Sequence, residues 1–181
     1  MNGMLKFGVL ALSLAIGCSE ATAVDDSAWR GGPSESWFVN WDKALAEAKK
    51  TGKSLFVLNT GSDWCPWCKV LHEEVLKKPE FVEFASKKLV LVYLDSPYKS
   101  PLAHEQSVHN RRIADALGFG SGVPKVMVFT SGGMRLGEIG GGGLKLDAYL
   151  ERLKSILREK GEEPGDAARK LFSNGYGKLA E

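Results

Sequence analysis

Cysteine and histidine are scarce in this chain, with three of each in 181 residues. A structural zinc site takes four ligands and normally two cysteine pairs. Here Cys65 and Cys68 form one close pair while Cys18 stands apart near the start, which argues against zinc. Covalent haem attachment needs a histidine directly after the second cysteine of a CxxC, and that position is Lys69. His72, one helical turn beyond Cys68, is placed to add a third ligand, but it reads more simply as an exposed histidine on a polar helix face. An excess of one charge is also missing. Lysine and arginine total 24 against 22 acidic residues, so no basic surface points to nucleic acid and no acidic block to a disordered tail.

Long apolar runs are absent too. The stretch from Phe7 to Gly17 is too short to span a bilayer, and it has the flanks of an export signal. Lys6 supplies the positive start and Ala21-Thr22-Ala23 a small-x-small cleavage site. Residues 1–23 are therefore expected to be a signal peptide, with the mature protein periplasmic or secreted, where disulfides persist. Leu14-Ala15-Ile16-Gly17-Cys18 loosely resembles a lipobox, so a lipid anchor at Cys18 is the alternative and the one route to membrane attachment.

What the chain does contain is Trp64-Cys65-Pro66-Trp67-Cys68, set where an apolar run ends and a helical pattern begins. Pro66 suits the first helical position, where its missing N–H is no loss. The Cys65 sulfur then sits at a helix N-terminus, where unpaired N–H groups and the macrodipole favour negative charge. Thiols in such settings drop from about 8.5 to about 3.5–7.5. Cys65 is thus expected to be an anionic, exposed nucleophile. Cys68, one turn behind and deeper, is expected to resolve the mixed disulfide. Trp64 and Trp67 flank the thiols too closely to serve packing alone.

Around this stretch the pattern is α/β. Residues 24–40 are polar and turn-rich and read as a linker ending at Trp37 and Trp41, which tuck against the domain. A helix over Asp42–Thr51 precedes an apolar strand, Ser54–Thr60, of the kind buried on both faces. After the CxxC helix, Pro66–Lys78, come a short helix, Glu80–Lys87, and a second buried strand, Leu89–Leu94. Strand, helix, strand implies parallel neighbours with a right-handed crossover. Ala103–Leu117 reads as a helix with His104 and His109 on its solvent side. Gly120-Ser121-Gly122-Val123-Pro124 leads into the strand Lys125–Thr130, with cis and trans Pro124 both open. A hairpin strand, Met134–Ile139, a flexible joint at Gly140–Gly143 and a closing amphipathic helix with Leu146, Leu150, Leu153 and Leu157 follow. The domain is expected over 41–160, with 161–181 a polar C-terminal extension of no assigned role.

This order of elements, with Asp63-Trp64-Cys65-Pro66-Trp67-Cys68-Lys69 and the later Gly122-Val123-Pro124, resembles the thioredoxin superfamily over about Trp37 to Lys160. These residues look like those of exported bacterial thioredoxin-like proteins, relatives of the C-terminal domain of the membrane disulfide reductase. The resemblance implies a thioredoxin-like fold, a central mixed sheet of about four strands flanked by helices, with the CxxC at a helix N-terminus. It also implies a cis Pro124 against the thiols and a Val123 backbone that pairs with an extended substrate. Pro66-Trp67 is similar to the Pro-aromatic pair of glutaredoxins, which keeps glutathione as a candidate partner. Three departures stand out: Asn59 where thioredoxins carry a buried, proton-handling Asp, Leu91 where a lysine is usual, and Lys125 in place of threonine, bringing a cation near the exchange site.

The expected function is an exported thiol-disulfide oxidoreductase acting on protein cysteines. Cys65 and Cys68 carry the chemistry, and Trp64, Pro66, Trp67, Val123 and Pro124 bind the substrate. It needs no metal and no cofactor beyond its own disulfide. Its partners are protein thiols or disulfides and an unidentified redox protein, with no nucleic acid. Rival readings are a module carrying a soft metal such as copper on the two thiolates, and an interaction domain with a merely structural disulfide. Redox direction does not follow from the sequence.

Overall fold

The computed structural model describes residues 26–179, so the expected signal peptide and Cys18 lie outside the described residues. The strands are β1 (Trp37–Phe38), β2 (Ser54–Thr60), β3 (Leu89–Asp95), β4 (Lys125–Phe129) and β5 (Arg135–Gly140). They form one five-stranded sheet in the order β1-β3-β2-β4-β5. The first three are mutually parallel, and β4 and β5 each run antiparallel to the neighbour before them. The sheet thus has one strand more than expected. The extra one, β1, lies in the segment read as a linker, where Trp37 and Phe38 pair with Leu91 and Val92. Two residues among turn formers carry no periodicity of their own; the exposed edge of β3 makes them a strand.

Strand alternation divides the interior in two. On one face Phe56, Leu58, Leu91, Val126 and Val128 pack against Leu71, Val75, Phe81, Leu153 and Ile156. Those partners belong to α2 (Pro66–Leu71) and the π-helical turn that continues it (His72–Leu76), α3 (Pro79–Lys88) and α5 (Leu146–Ile156). On the other face Leu55, Val57, Val92, Leu94, Met127 and Phe129 meet Trp41, Ala44, Ala48, Ile113, Leu171 and Phe172. These come from α1 (Trp41–Thr51), α4 (His104–Ala116) and α6 (Asp166–Asn174). Asn40 caps α1 through Oδ1, which accepts the Lys43 N–H, and Gly52 closes it at φ 69°, the left-handed conformation that glycine adopts without strain.

Two expectations are corrected here. Residues 161–181, read as a polar extension, contain α6, whose Ala168, Leu171 and Phe172 are buried. Its apolar residues do fall at helical spacing, but the helix is only 9 residues long and sits in a polar, glycine-bearing stretch; contacts with Trp41 of α1 and Phe129 of β4 supply the burial. His109, expected on the solvent side of α4, is 1% exposed; only His104 is exposed. The polar stripe of α4 is an internal connector: His109 Nε2 accepts the Trp41 N–H at 3.2 Å and Asn110 Nδ2 donates to the Asp95 carbonyl at 3.0 Å. Gln106 exchanges two hydrogen bonds with the Arg30 backbone. A buried polar side chain is tolerated when its groups are paired, and hydropathy does not register such pairing.

Candidate active site

The turn after β2 brings the chain to Cys65, the N-cap of α2, with extended backbone at φ −82° and ψ 114° and Pro66 directly inside the helix. Cys65 and Cys68 are joined as a disulfide with their Cα atoms 5.2 Å apart. The Cys65 sulfur accepts the Cys68 N–H at 3.1 Å, so a backbone donor of the first helical turn points directly at it. Across the groove the Val123 carbonyl lies 3.6 Å from the same sulfur, and the Val123–Pro124 peptide bond is cis. The sulfurs differ less in depth than expected: Cys65 is 3% exposed and Cys68 4%. Cys65 is thus not an exposed side chain in the oxidised protein.

The flanking aromatics form an outer wall. Trp64 lies over Gly61, where a Cβ would sit 2.3 Å from the indole. Its Nε1 donates to the Ser96 carbonyl at 2.8 Å, and its ring stacks on Tyr98 at 4.9 Å. Asp63 fixes that stack by accepting the N–H groups of Tyr98, Lys99 and Ser100 at 2.9, 2.6 and 3.0 Å. Against a desolvation penalty, these three donors and the Lys99 charge hold the Asp63 carboxyl below its ordinary pKa. Trp67 is 58% exposed, its carbonyl against Gly142, where a Cβ would be 2.3 Å away. Gly141 N–H donates to the Pro124 carbonyl at 3.0 Å. The Gly140–Gly143 joint is therefore packed against both halves of the site.

Behind Cys68 is a cavity of about 20 Å³ lined by Thr60, Ser62, Lys69, His72 and Tyr93 together with Leu58 and Leu76. Ser62 donates to Asp95 through both its backbone N–H (2.9 Å) and its hydroxyl (2.5 Å), and Tyr93 lines the cavity beside it. Burial, reinforced by the Asp95 charge, raises the Tyr93 pKa. Asp95 and Ser62 were not anticipated from the sequence; an acid closing an apolar strand was the available signal. Asn59 takes no part. It pairs in register with Leu94 and Lys125 and alternates with Leu55 and Val57, so it leaves the sheet on the α1 and α4 side.

Two further side chains depart from expectation. The Lys125 ammonium donates to the Phe119 carbonyl at 2.7 Å, so its nearest partner is the loop before Pro124 and not the disulfide. His72 is half-buried: it lines the cavity behind Cys68, and its Nε2 is covered and has no hydrogen-bond partner. Burial lowers the His72 pKa, the nearby Glu73 opposing and Lys77 adding to the effect.

A disulfide at the N-terminus of a helix on a mixed sheet, faced by an X-Pro loop, defines a thiol-disulfide oxidoreductase. Residues 36–131 match the family model described as Thioredoxin-like, and the chain belongs to that family. It is 28% identical over 164 residues to the disulfide bond reductase DsbH of Chlamydia pneumoniae, covering 87% of this chain and 96% of the relative. It is 33% identical over 103 residues to the thioredoxin-related protein DsbJ of the same organism, covering 57% of this chain and 27% of DsbJ. A solved structure named DsbH oxidoreductase superimposes with a TM-score of 0.62 at 30% identity, covering 67% of this chain and 83% of that one.

Proposed function

We propose that this oxidoreductase works outside the cytoplasm as a reductant of disulfides in protein substrates. The observation that carries the reading is the place of the Cys65 sulfur, which accepts a helix-terminal N–H on one side and faces the Val123 backbone across the groove on the other. The likeness to a disulfide bond reductase over nearly that relative's whole length supports the direction.

In the proposed cycle the Cys65 thiolate, stabilised by the Cys68 N–H, attacks a substrate disulfide, and one substrate sulfur leaves as thiolate. Cys68 then attacks Cys65, the second substrate sulfur leaves, and the protein retains the Cys65–Cys68 disulfide. The substrate gains two electrons and the protein dithiol loses two. Trp64, Pro66, Trp67, Val123 and Pro124 contact the substrate, with the Val123 backbone pairing to an extended segment. An unidentified redox protein restores the dithiol, and no cofactor enters the cycle. Export through residues 1–23, with a lipid anchor at Cys18 as the alternative, accounts for the setting.

Replacing Cys68 with alanine removes the resolving step, so the variant should accumulate substrates as mixed disulfides on Cys65, seen as thiol-sensitive high-mass bands. Recovery of none, from an extract in which Cys65 still reacts with an alkylating agent, would exclude protein substrates. The reduction potential checks direction: a value near about −270 mV fits a reductant and one near about −120 mV an oxidant.

A further inference from the structure

Resolution requires that Cys68 lose its proton, and Cys68 is buried, a setting that holds a thiol protonated. Asn59 cannot ionise and lies on the other side of the sheet. Some other group must take the proton. Among the described residues, the side chains sharing the small cavity with Cys68 that can exchange protons are Thr60, Ser62, Lys69, His72 and Tyr93. Three are hydroxyl groups that ionise only far above neutral pH, and Lys69 is a cation with no acceptor. His72 alone offers a basic lone pair at neutral pH.

Its position suits the task. The His72 N–H donates to the Cys68 carbonyl, so the two side chains stand one turn apart on the same helix face. Nδ1 points toward Glu73, 3.8 Å away, whereas Nε2 is buried without a partner. The ring keeps one edge at the surface, its side chain 38% exposed, so a proton taken inside can be passed to solvent. The cavity has the volume of about one water molecule, enough to relay a proton if the two groups do not touch directly.

We propose that His72 is the general base for Cys68, accepting its Sγ proton through Nε2 as Cys68 attacks Cys65. This rests on Cys68 being the resolving thiol. In the step the S–H bond of Cys68 breaks and its proton moves to Nε2. The Cys68–Cys65 bond forms, the bond from Cys65 to the substrate sulfur breaks, and that sulfur leaves as thiolate. The imidazolium then releases its proton to solvent. In the reverse direction the same ring protonates Cys68 as it is displaced. The charges facing the ring are Glu73, Lys77 and Lys69 on its own helix and, from β3, Asp95 through Ser62 beside Tyr93. Because burial disfavours its cation, His72 is neutral and ready to accept a proton at pH 7.

The chromogenic disulfide dithionitrobenzoate separates the steps in stopped flow with the reduced full-length chain. Its first coloured release reports attack by Cys65, and its second reports resolution by Cys68. For the unaltered protein the second rate should hold through neutral pH and fall only as pH drops through the His72 value, which burial sets below the ordinary histidine value of about 6.5. His72→Gln should slow that release by about 100-fold at pH 7, approach the parent rate near pH 9, and leave the first release within about twofold. Added imidazole should partly rescue His72→Ala. A parent profile breaking only near the thiol value of about 8.5 would overturn the proposal without needing any variant to fold. So would a His72→Gln profile superimposing on the parent, or one moved by Asp95→Asn instead. Loss of the first release in the parent protein would overturn the assignment of Cys65 and the proposal with it.

Discussion

Truncating Phe172 to alanine tests whether α6 belongs to the folded unit or merely trails it. The ring is 4% exposed, meets Trp41 edge-on at 5.2 Å and lies 5.4 Å from Phe129, so it joins α1 to the far end of β4. Removing a buried phenylalanine costs about 3–5 kcal/mol through lost transfer energy and the cavity left behind. The aromatic pairs place this site toward the upper part of that range. For a chain of this length the loss lowers Tm by about 6–20 °C. The full-length oxidised protein should be compared with F172A by urea titration and calorimetry. The disulfide lies on the opposite face of the sheet, so first-step reactivity of Cys65 should be unchanged under conditions where the variant is folded. A destabilisation below about 1 kcal/mol, the size of an ordinary surface substitution, would refute the packing argument for the C-terminal segment.

Two further outcomes are expected. Burial is the largest influence on His109 and lowers its pKa against the opposing effects of Asn110, Asp42 and Asp26. Neutral His109 accepts the Trp41 N–H between the rings of Trp29 and Tyr176. The folded state therefore binds this proton less readily than the unfolded chain. Its stabilising contribution is present above about pH 6.5 and is lost as pH falls through the lowered folded value; urea midpoints from pH 8 to 5 should decline for the parent and less for His109→Gln, and parallel declines would count against the assignment. Gly142→Ala places a Cβ 2.3 Å from the Trp67 carbonyl oxygen and should displace the loop that braces Trp67 and Pro124, destabilising by about 1–3 kcal/mol and slowing insulin reduction. Gly143→Ala, with no atom within 4 Å of its Cβ, should leave both unchanged, and equal effects from the two would contradict the contact.

The strands β2 and β3 and the start of α2 were legible because each is encoded locally. Two apolar runs of strand length and a proline inside a CxxC leave little choice of conformation. β1 was not, since two residues become a strand only by hydrogen bonding to an edge built from residues 89–95. The buried polar residues were equally hidden. Gln106, His109 and Asn110 have the hydropathy of a surface, and their burial depends on partners 15 to 76 residues away in sequence.

The site divides in the same way. By itself the sequence determined that two thiols stand one helical turn apart at the start of a helix, and that an X-Pro strand follows, because spacing and proline chemistry act over a few bonds. The tertiary structure alone decided which groups surround Cys68. A strand sends successive side chains to opposite faces, so the pairing of β2 with β3 and β4 turns Asn59 away from the disulfide. The fold around α2 brings Ser62, Tyr93 and Asp95 together beside His72. Such convergence depends on register and packing, and a linear pattern carries neither.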